Sequence, residues 1–198
     1  MRTLFVFDID DTLFFANQQI GMEVEGVFRW ITQQEFHEHD VAGTVHPNLD
    51  FSKLLCAEDF IANLQPNPVM IKRLKDTLLG PGDVVVMTAR HPPDDIPLFK
   101  TAFHQQGIET DDFDLVFAGT SGPAHWSSHQ KKAVLFEYYL KQQYDHIVIY
   151  DDNTSNIAEL HHLALDYPTT IESYRIDSDG SINKYQGIYK NVLRGRIE

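Results

Sequence analysis

The chain has 198 residues, 42% of them hydrophobic and 23% charged, and a formal net charge of −13. That length suits one α/β domain with a modest insertion, and the acidic balance argues against a broad electrostatic footprint on nucleic acid or an anionic membrane. Cys56 is the only cysteine, which excludes an intrachain disulfide; no apolar run is long enough to cross a membrane, and the first strand begins by Leu4, leaving no room for a signal peptide, so a reducing cytoplasm is the expected compartment.

Leu4, Phe5, Val6 and Phe7 form an apolar run that reads as a strand buried on both faces of a parallel sheet. It leads directly into Asp8, Asp10 and Asp11. Ionised carboxylates buried together need a counter-charge, so Asp8 and Asp10 are expected at the carboxyl end of that strand, where open α/β sheets keep their sites. Side chains two apart on an extended chain point the same way, so the two carboxylates address one ligand, and Mg²⁺ is the natural counter-ion.

Residues 14–65 do not alternate between strand and helix, and they read as an insertion covering the site as a flap or small cap. Within it, residues 23–30 suit a hairpin with Gly26 near the turn, and Thr32 with Glu35 forms a capping-box pattern opening a short helix. Residues 43–50 resemble a loop and 57–64 another short helix. Alternation resumes at Asn67-Pro68, a cap followed by a proline in the first helical turn, with Met70, Ile71, Leu74 and Leu78 on one face.

A second buried strand over 84–88 ends on Thr88, with Ala89 and Arg90 beyond it. Asp94 or Asp95 caps a helix that Gly107 stops, and 115–117 is a third short strand. A polar loop over 118–129 leads into a helix expected to begin near Lys131. A fourth strand over 146–150 ends on Asp151-Asp152, a helix follows through Ile157, Leu160 and Ala164, and the tail reads as an edge strand or hairpin. The fold class is therefore α/β: a doubly wound, mostly parallel, Rossmann-like sheet with a small insertion after its first strand.

Three strands in this reading end on reactive groups, namely Asp8 with Asp10, Thr88, and Asp151 with Asp152, while Lys131-Lys132 opens a helix between the last two. The set is chemically coherent. Carboxylates from two strands hold Mg²⁺, Thr88 and one lysine bind phosphate oxygens, and Asp8 is a nucleophile. Isolated signals read differently: His37, His39, His161 and His162 lack metal-ligand spacing, Phe14 and Phe15 suit either core or pocket, and Trp126 suits a substrate contact or a loop anchor.

These residues resemble the haloacid dehalogenase superfamily of phosphohydrolases. Its Asp-x-Asp-x-Thr motif corresponds to residues 8–12, its strand ending in Ser or Thr to 84–88, its lysine to the Lys131-Lys132 pair and its acidic pair to Asp151-Asp152. Asp11 stands where that family most often has glycine. The stretch from Lys132 to Asp152, and Arg90 after the second motif, further resemble the phosphatase half of phage polynucleotide kinase.

The resemblance implies that Asp8 forms an aspartyl-phosphate and that Asp10 acts as acid, then base. It places Mg²⁺ on the Asp8 carboxylate, the Asp10 main-chain carbonyl, Asp151 and, through water, Asp152. Thr88 and Lys132 would hold the phosphoryl group, with Lys132 chosen over Lys131 because it aligns without gaps to the acidic pair. Arg90 would hold a second substrate anion by bidentate geometry, and Thr12 and Ala89 are the remaining substrate contacts. The expected substrate is a nucleotide-borne phosphate, first a polynucleotide 3′-phosphate and then a mononucleotide; phosphotyrosine or a small metabolite, and a receiver-like phosphoacceptor module, are the alternatives.

Overall fold

Alternating burial along β1 (Thr3–Phe7) sets the architecture: Leu4 and Val6 enter one apolar cluster, Phe7 the other. A strand apolar on both sides has to lie between two layers of cover. The computed structural model describes residues 1–32, 35, 49–123 and 126–185, and over these the chain is α/β with a mostly parallel central sheet.

The strands flanking β1 are β6 (Asp83–Thr88) and β8 (His146–Asp151), both parallel to it. Outside them lie β7 (Asp114–Phe117), parallel to β6, and β9 (Thr170–Ile176), parallel to β8. Short β10 (Ile182–Lys184) closes one edge antiparallel to β9, so the tail is an edge strand and a hairpin at once. The sheet order is β10-β9-β8-β1-β6-β7. The chain builds outward through β6 and β7, then crosses β1 to start again at β8, so the order reverses between β1 and β8, and it is outside the carboxyl ends of the strands at such a point that open α/β sheets bind ligands.

Helices cover both faces. On one lie α3 (Pro68–Leu78), through Met70, Ile71 and Leu74, and α4 (Ile96–His104), through Phe99, Ala102 and Phe103. On the other lie α5 (Ser128–Leu140), through Phe136 and Leu140, and α6 (Thr154–Leu163), through Leu160. The caps follow the sequence. Asn67 Oδ1 accepts from the Val69 and Met70 amides, and Asp95 accepts from Leu98 N at 2.8 Å. Asp94 instead caps a neighbouring helix, accepting from Ala57 N at 2.8 Å.

Helix α5 begins at Ser128, three residues before the expected start near Lys131, because Ser127 and Gln130 form a reciprocal capping box.

Between β1 and α3, β2 (Phe14–Ala16) and β5 (Leu64–Pro66) pair antiparallel and close the neck of the inserted segment. Inside it, β3 (Gln19–Val24) and β4 (Val27–Thr32) make the hairpin, with Gly26 in its turn. Two short helices, α1 (Ser52–Leu55) and α2 (Ala57–Asn63), follow. Thr32 and Glu35 exchange capping bonds of 2.7 and 3.2 Å; the helix expected after them and most of the loop expected over 43–50 lie outside the described residues. Phe14, Ala57 and Phe60 join the segment to the main core. Phe14 is fully buried against Phe60 and Phe103, and Phe60 stacks on Phe99 with ring centroids 4.4 Å apart. That assigns Phe14 to the core.

Candidate active site

Immediately after β1 the chain stops being extended. Asp8 still donates to Tyr150 O at 2.9 Å, but the Ile9 carbonyl then accepts from Leu13 N at 3.0 Å and Phe14 N at 2.9 Å, closing a tight turn. Asp11 sits in this turn at φ 54. That left-handed region favours glycine, and aspartate is among the few other residues that enter it readily. The turn also corrects the expectation that Asp8 and Asp10 point the same way: strand alternation ends at Asp8, and the two carboxylates serve different partners.

Asp8 belongs with the last residues of β8. One carboxylate oxygen each from Asp8, Asp151 and Asp152 lies within 4.8 Å of the others. From the second turn of α5, Lys132 reaches into this group, its Nζ 2.7 Å from Asp8 Oδ1 and 2.8 Å from Asp151 Oδ2. It is one of the most deeply buried side chains among the described residues, whereas Lys131 is half-buried. Asp151 is held further by Asn153 N at 2.9 Å and by Asn156 Nδ2 at 2.9 and 3.1 Å. Asp8 Oδ1 differs: it lies within ion-pair distance of Lys132 but outside the directional range of a hydrogen bond, and no other group among the described residues satisfies it.

The electrostatics follow from this crowding. Burial pushes the Asp8 carboxyl well above its usual range; Lys132 pulls it back, while Asp151, Asp152 and Asp10 push it up again. Asp152 is pushed up to about 7, by burial first and then by Asp151. Burial opposes the Lys132 charge as well, yet Asp151 and Asp8 outweigh it and hold the ammonium above its ordinary value. The lysine therefore stays charged, and three carboxylates set against one ammonium leave the ionised cluster two negative charges in excess. Oxygen donors, a surplus of two charges and an under-satisfied Asp8 oxygen fit a hard divalent cation such as Mg²⁺. Asp8, Asp151 and Asp152 are the side chains that would hold it.

Asp10 faces the end of β6. Arg90 Nε lies 2.9 Å from both Asp10 oxygens, its Nη2 is 2.5 Å from Oδ1, and Thr88 Oγ1 donates to Oδ2 at 3.1 Å. Thr88 also accepts from Arg90 N at 3.1 Å. The Arg90 guanidinium is buried over the Phe60 ring, and its Nη1 donates to Gln18 Oε1 at 2.5 Å and Leu54 O at 3.1 Å. Gly119 fixes the main chain here: it donates to Arg90 O at 2.9 Å, and a β-carbon on it would lie 2.4 Å from the Arg90 carbonyl carbon.

The structure thus brings Asp8, Lys132, Asp151 and Asp152 into one cluster, and Asp10, Thr88 and Arg90 into an adjoining one. Arg90 directs Nε and Nη2 at Asp10 and Nη1 at Gln18 and Leu54, so four of its five N–H donors are engaged within the protein. Thr12 is fully buried, with Oγ1 unpaired among the described residues, and its carbonyl accepts from Asn67 Nδ2 at 3.0 Å. Ala89 is half-buried in the bend between Thr88 and Arg90. Trp126 packs against Gly122, where a β-carbon would meet its ring at 2.4 Å, which is the loop-anchor arrangement.

Among the described histidines, His161 bonds Ser173 at 2.7 Å and His162 is exposed; His37 and His39 lie outside the described residues. Two residues escaped the sequence reading. Asn156 was signalled by its place in the first turn of the helix after the acidic pair; Gln18 had no signal, because its partners, residues 53–59 and Arg90, come from two segments distant from it in sequence. No protein-family model matches the chain, and a comparison with curated proteins finds no match.

Proposed function

We propose that the protein is a Mg²⁺-dependent phosphomonoesterase of the haloacid dehalogenase type, with Asp8 as nucleophile. The observation that carries the reading is the buried Asp8 carboxylate, ion-paired to Lys132, short of hydrogen bonds and surrounded by excess negative charge at the carboxyl edge of the sheet. A bound cation would offset that charge, favouring ionised Asp8 and polarising the phosphoryl oxygens.

In the first step an Asp8 oxygen forms a bond to phosphorus while the bond from phosphorus to the ester oxygen breaks. The departing oxygen takes a proton from the Asp10 carboxylic acid, leaving an alcohol, an aspartyl-phosphate and the Asp10 carboxylate. In the second step water attacks phosphorus and gives a proton to Asp10, and the phosphorus–Asp8 bond breaks to release phosphate. Lys132 neutralises charge on the transferred group, and Thr88 holds Asp10 toward the ester oxygen.

The resemblance to polynucleotide phosphatases favours a nucleotide-borne substrate, a terminal 3′-phosphate before a mononucleotide. Steady turnover of p-nitrophenyl phosphate that requires Mg²⁺ tests the reaction class and separates it from a phosphoacceptor module, which accepts one phosphoryl group without sustained release. Comparing a 3′-phosphorylated oligonucleotide, mononucleotides and a phosphotyrosine peptide tests the substrate; preference for the peptide would rule out the nucleic-acid reading alone.

A further inference from the structure

Gln18 is an apolar-looking burial made by a polar residue. It lies just before β3 in the inserted segment, is 1% exposed, and uses both ends of its amide. Its Oε1 accepts from Arg90 Nη1 at 2.5 Å. Its Nε2 donates to Lys53 O at 2.5 Å and Asp59 Oδ2 at 3.2 Å, with Cys56 O at 3.4 Å. The orientation is unambiguous: turned over, the amide would set its NH₂ against a guanidinium and its oxygen against two carbonyls and a carboxylate. Leu54 O, also in the insertion, is the second acceptor on Arg90 Nη1. One edge of the guanidinium is therefore held by the insertion, and the opposite edge grips Asp10.

Resting on the phosphatase reading above, we propose that Gln18 is a positioning residue: it fixes Arg90 so that Arg90 fixes the Asp10 carboxyl, coupling the inserted segment to proton delivery at the leaving oxygen. An Arg side chain has several rotatable bonds, and a proton donor must stay within hydrogen-bond reach of the departing atom. Without Gln18, Arg90 Nη1 retains Leu54 O alone, and the Lys53 and Cys56 carbonyls and the Asp59 carboxylate lose their shared donor. The consequence falls on poor leaving groups, sugar hydroxyls included, because these depart only with a proton.

The test has an activity arm and a structural arm. Gln18→Leu is compared with the wild type on an alkyl phosphate and on p-nitrophenyl phosphate, whose phenolate leaves without protonation. The expected result is a fall in kcat/KM of about tenfold or more on the alkyl ester, against less than about threefold on the aryl ester, because kcat/KM reports the steps through departure of the ester oxygen and not the later attack of water that both esters share. Damage of a merely structural kind lowers both alike.

In parallel, hydrogen exchange at the Arg90 Nε–H is followed by ¹⁵N NMR. It is expected to be slow in the wild type and accelerated in Gln18→Leu, which removes the acceptor for Nη1. If Gln18→Leu does not fold, Gln18→Asn, whose amide falls one methylene short of the guanidinium, carries the same comparison. Equal loss of kcat/KM on both esters, or Arg90 exchange indifferent to residue 18, overturns the proposal. Wild-type protein that turns over neither ester with Mg²⁺ speaks against the phosphatase reading, and the exchange measurement then decides the positioning claim by itself.

Discussion

Lys132 does at residue scale what a metal would do at the scale of the site: it is the positive charge on which the buried carboxylates depend. Removing one partner of a buried ion pair leaves the others uncompensated and typically costs about 3–5 kcal/mol. Lys132→Ala is therefore expected to lower unfolding free energy in chelator by about that amount, while Lys131→Ala, half-buried and outside the cluster, changes it by under about 0.5 kcal/mol. Urea denaturation in chelator checks both, and the reverse ranking would transfer the phosphate role to Lys131. Asp8→Asn has the opposite sign: it removes one of the crowded charges while Asp151 keeps its bond to Lys132, so the metal-free protein should melt higher even as turnover is lost.

At the scale of elements, the capping box of Ser127 and Gln130 starts α5 early enough for Lys132 to fall in its second turn and point at the cluster. Ser127→Ala is expected to cost about 1 kcal/mol of stability, read by denaturant midpoint at unchanged slope, with a smaller effect on the site than any cluster mutation. Gly119→Ala is expected to do the reverse. Its new methyl would press on the Arg90 backbone, which has no flexible side chain to give way, so activity falls further than stability.

The strands ending on Asp8, Thr88 and Asp151 were legible because apolar runs that stop on polar groups mark buried strands with their ends in a site. The start of α5 was also written in the sequence, as Ser127-x-x-Gln130, but the Lys131-Lys132 pair drew the boundary inward. The order β8-β1-β6 that makes those strand ends neighbours was not legible, since pairing partners lie some eighty to one hundred and forty residues apart in sequence. Nor was the split between Asp8 and Asp10, which a hydrogen-bonded turn at Ile9 decides, or Gln18, whose role exists only once Arg90 and the insertion meet.

For the whole molecule, the raised carboxyls of Asp8 and Asp152 make stability a function of pH and metal. A carboxyl raised in the folded state binds more protons folded than unfolded, so it opposes folding increasingly as pH climbs from its unfolded value toward its folded one. For Asp152 that window runs from the ordinary 3.8 to about 7. The metal-free protein is thus expected to lose thermal stability between pH 5 and 7, on the order of 5 °C, and Mg²⁺ to restore progressively more of it as pH rises. His161, lowered by burial, works in the opposite direction near pH 6, so the comparison is made against Asp152→Asn, in which the decline should flatten. A pH-independent Mg²⁺ effect, identical in wild type and Asp152→Asn, would detach the cation from this cluster.

The role of Asp8 as nucleophile is tested by acid-quenching the protein during turnover of p-nitrophenyl phosphate with Mg²⁺ and locating the phosphoryl adduct by peptide mass spectrometry. An adduct is expected on Asp8 in the wild type, and neither adduct nor turnover in Asp8→Asn. An adduct on another residue, or turnover that survives Asp8→Asn, would contradict it.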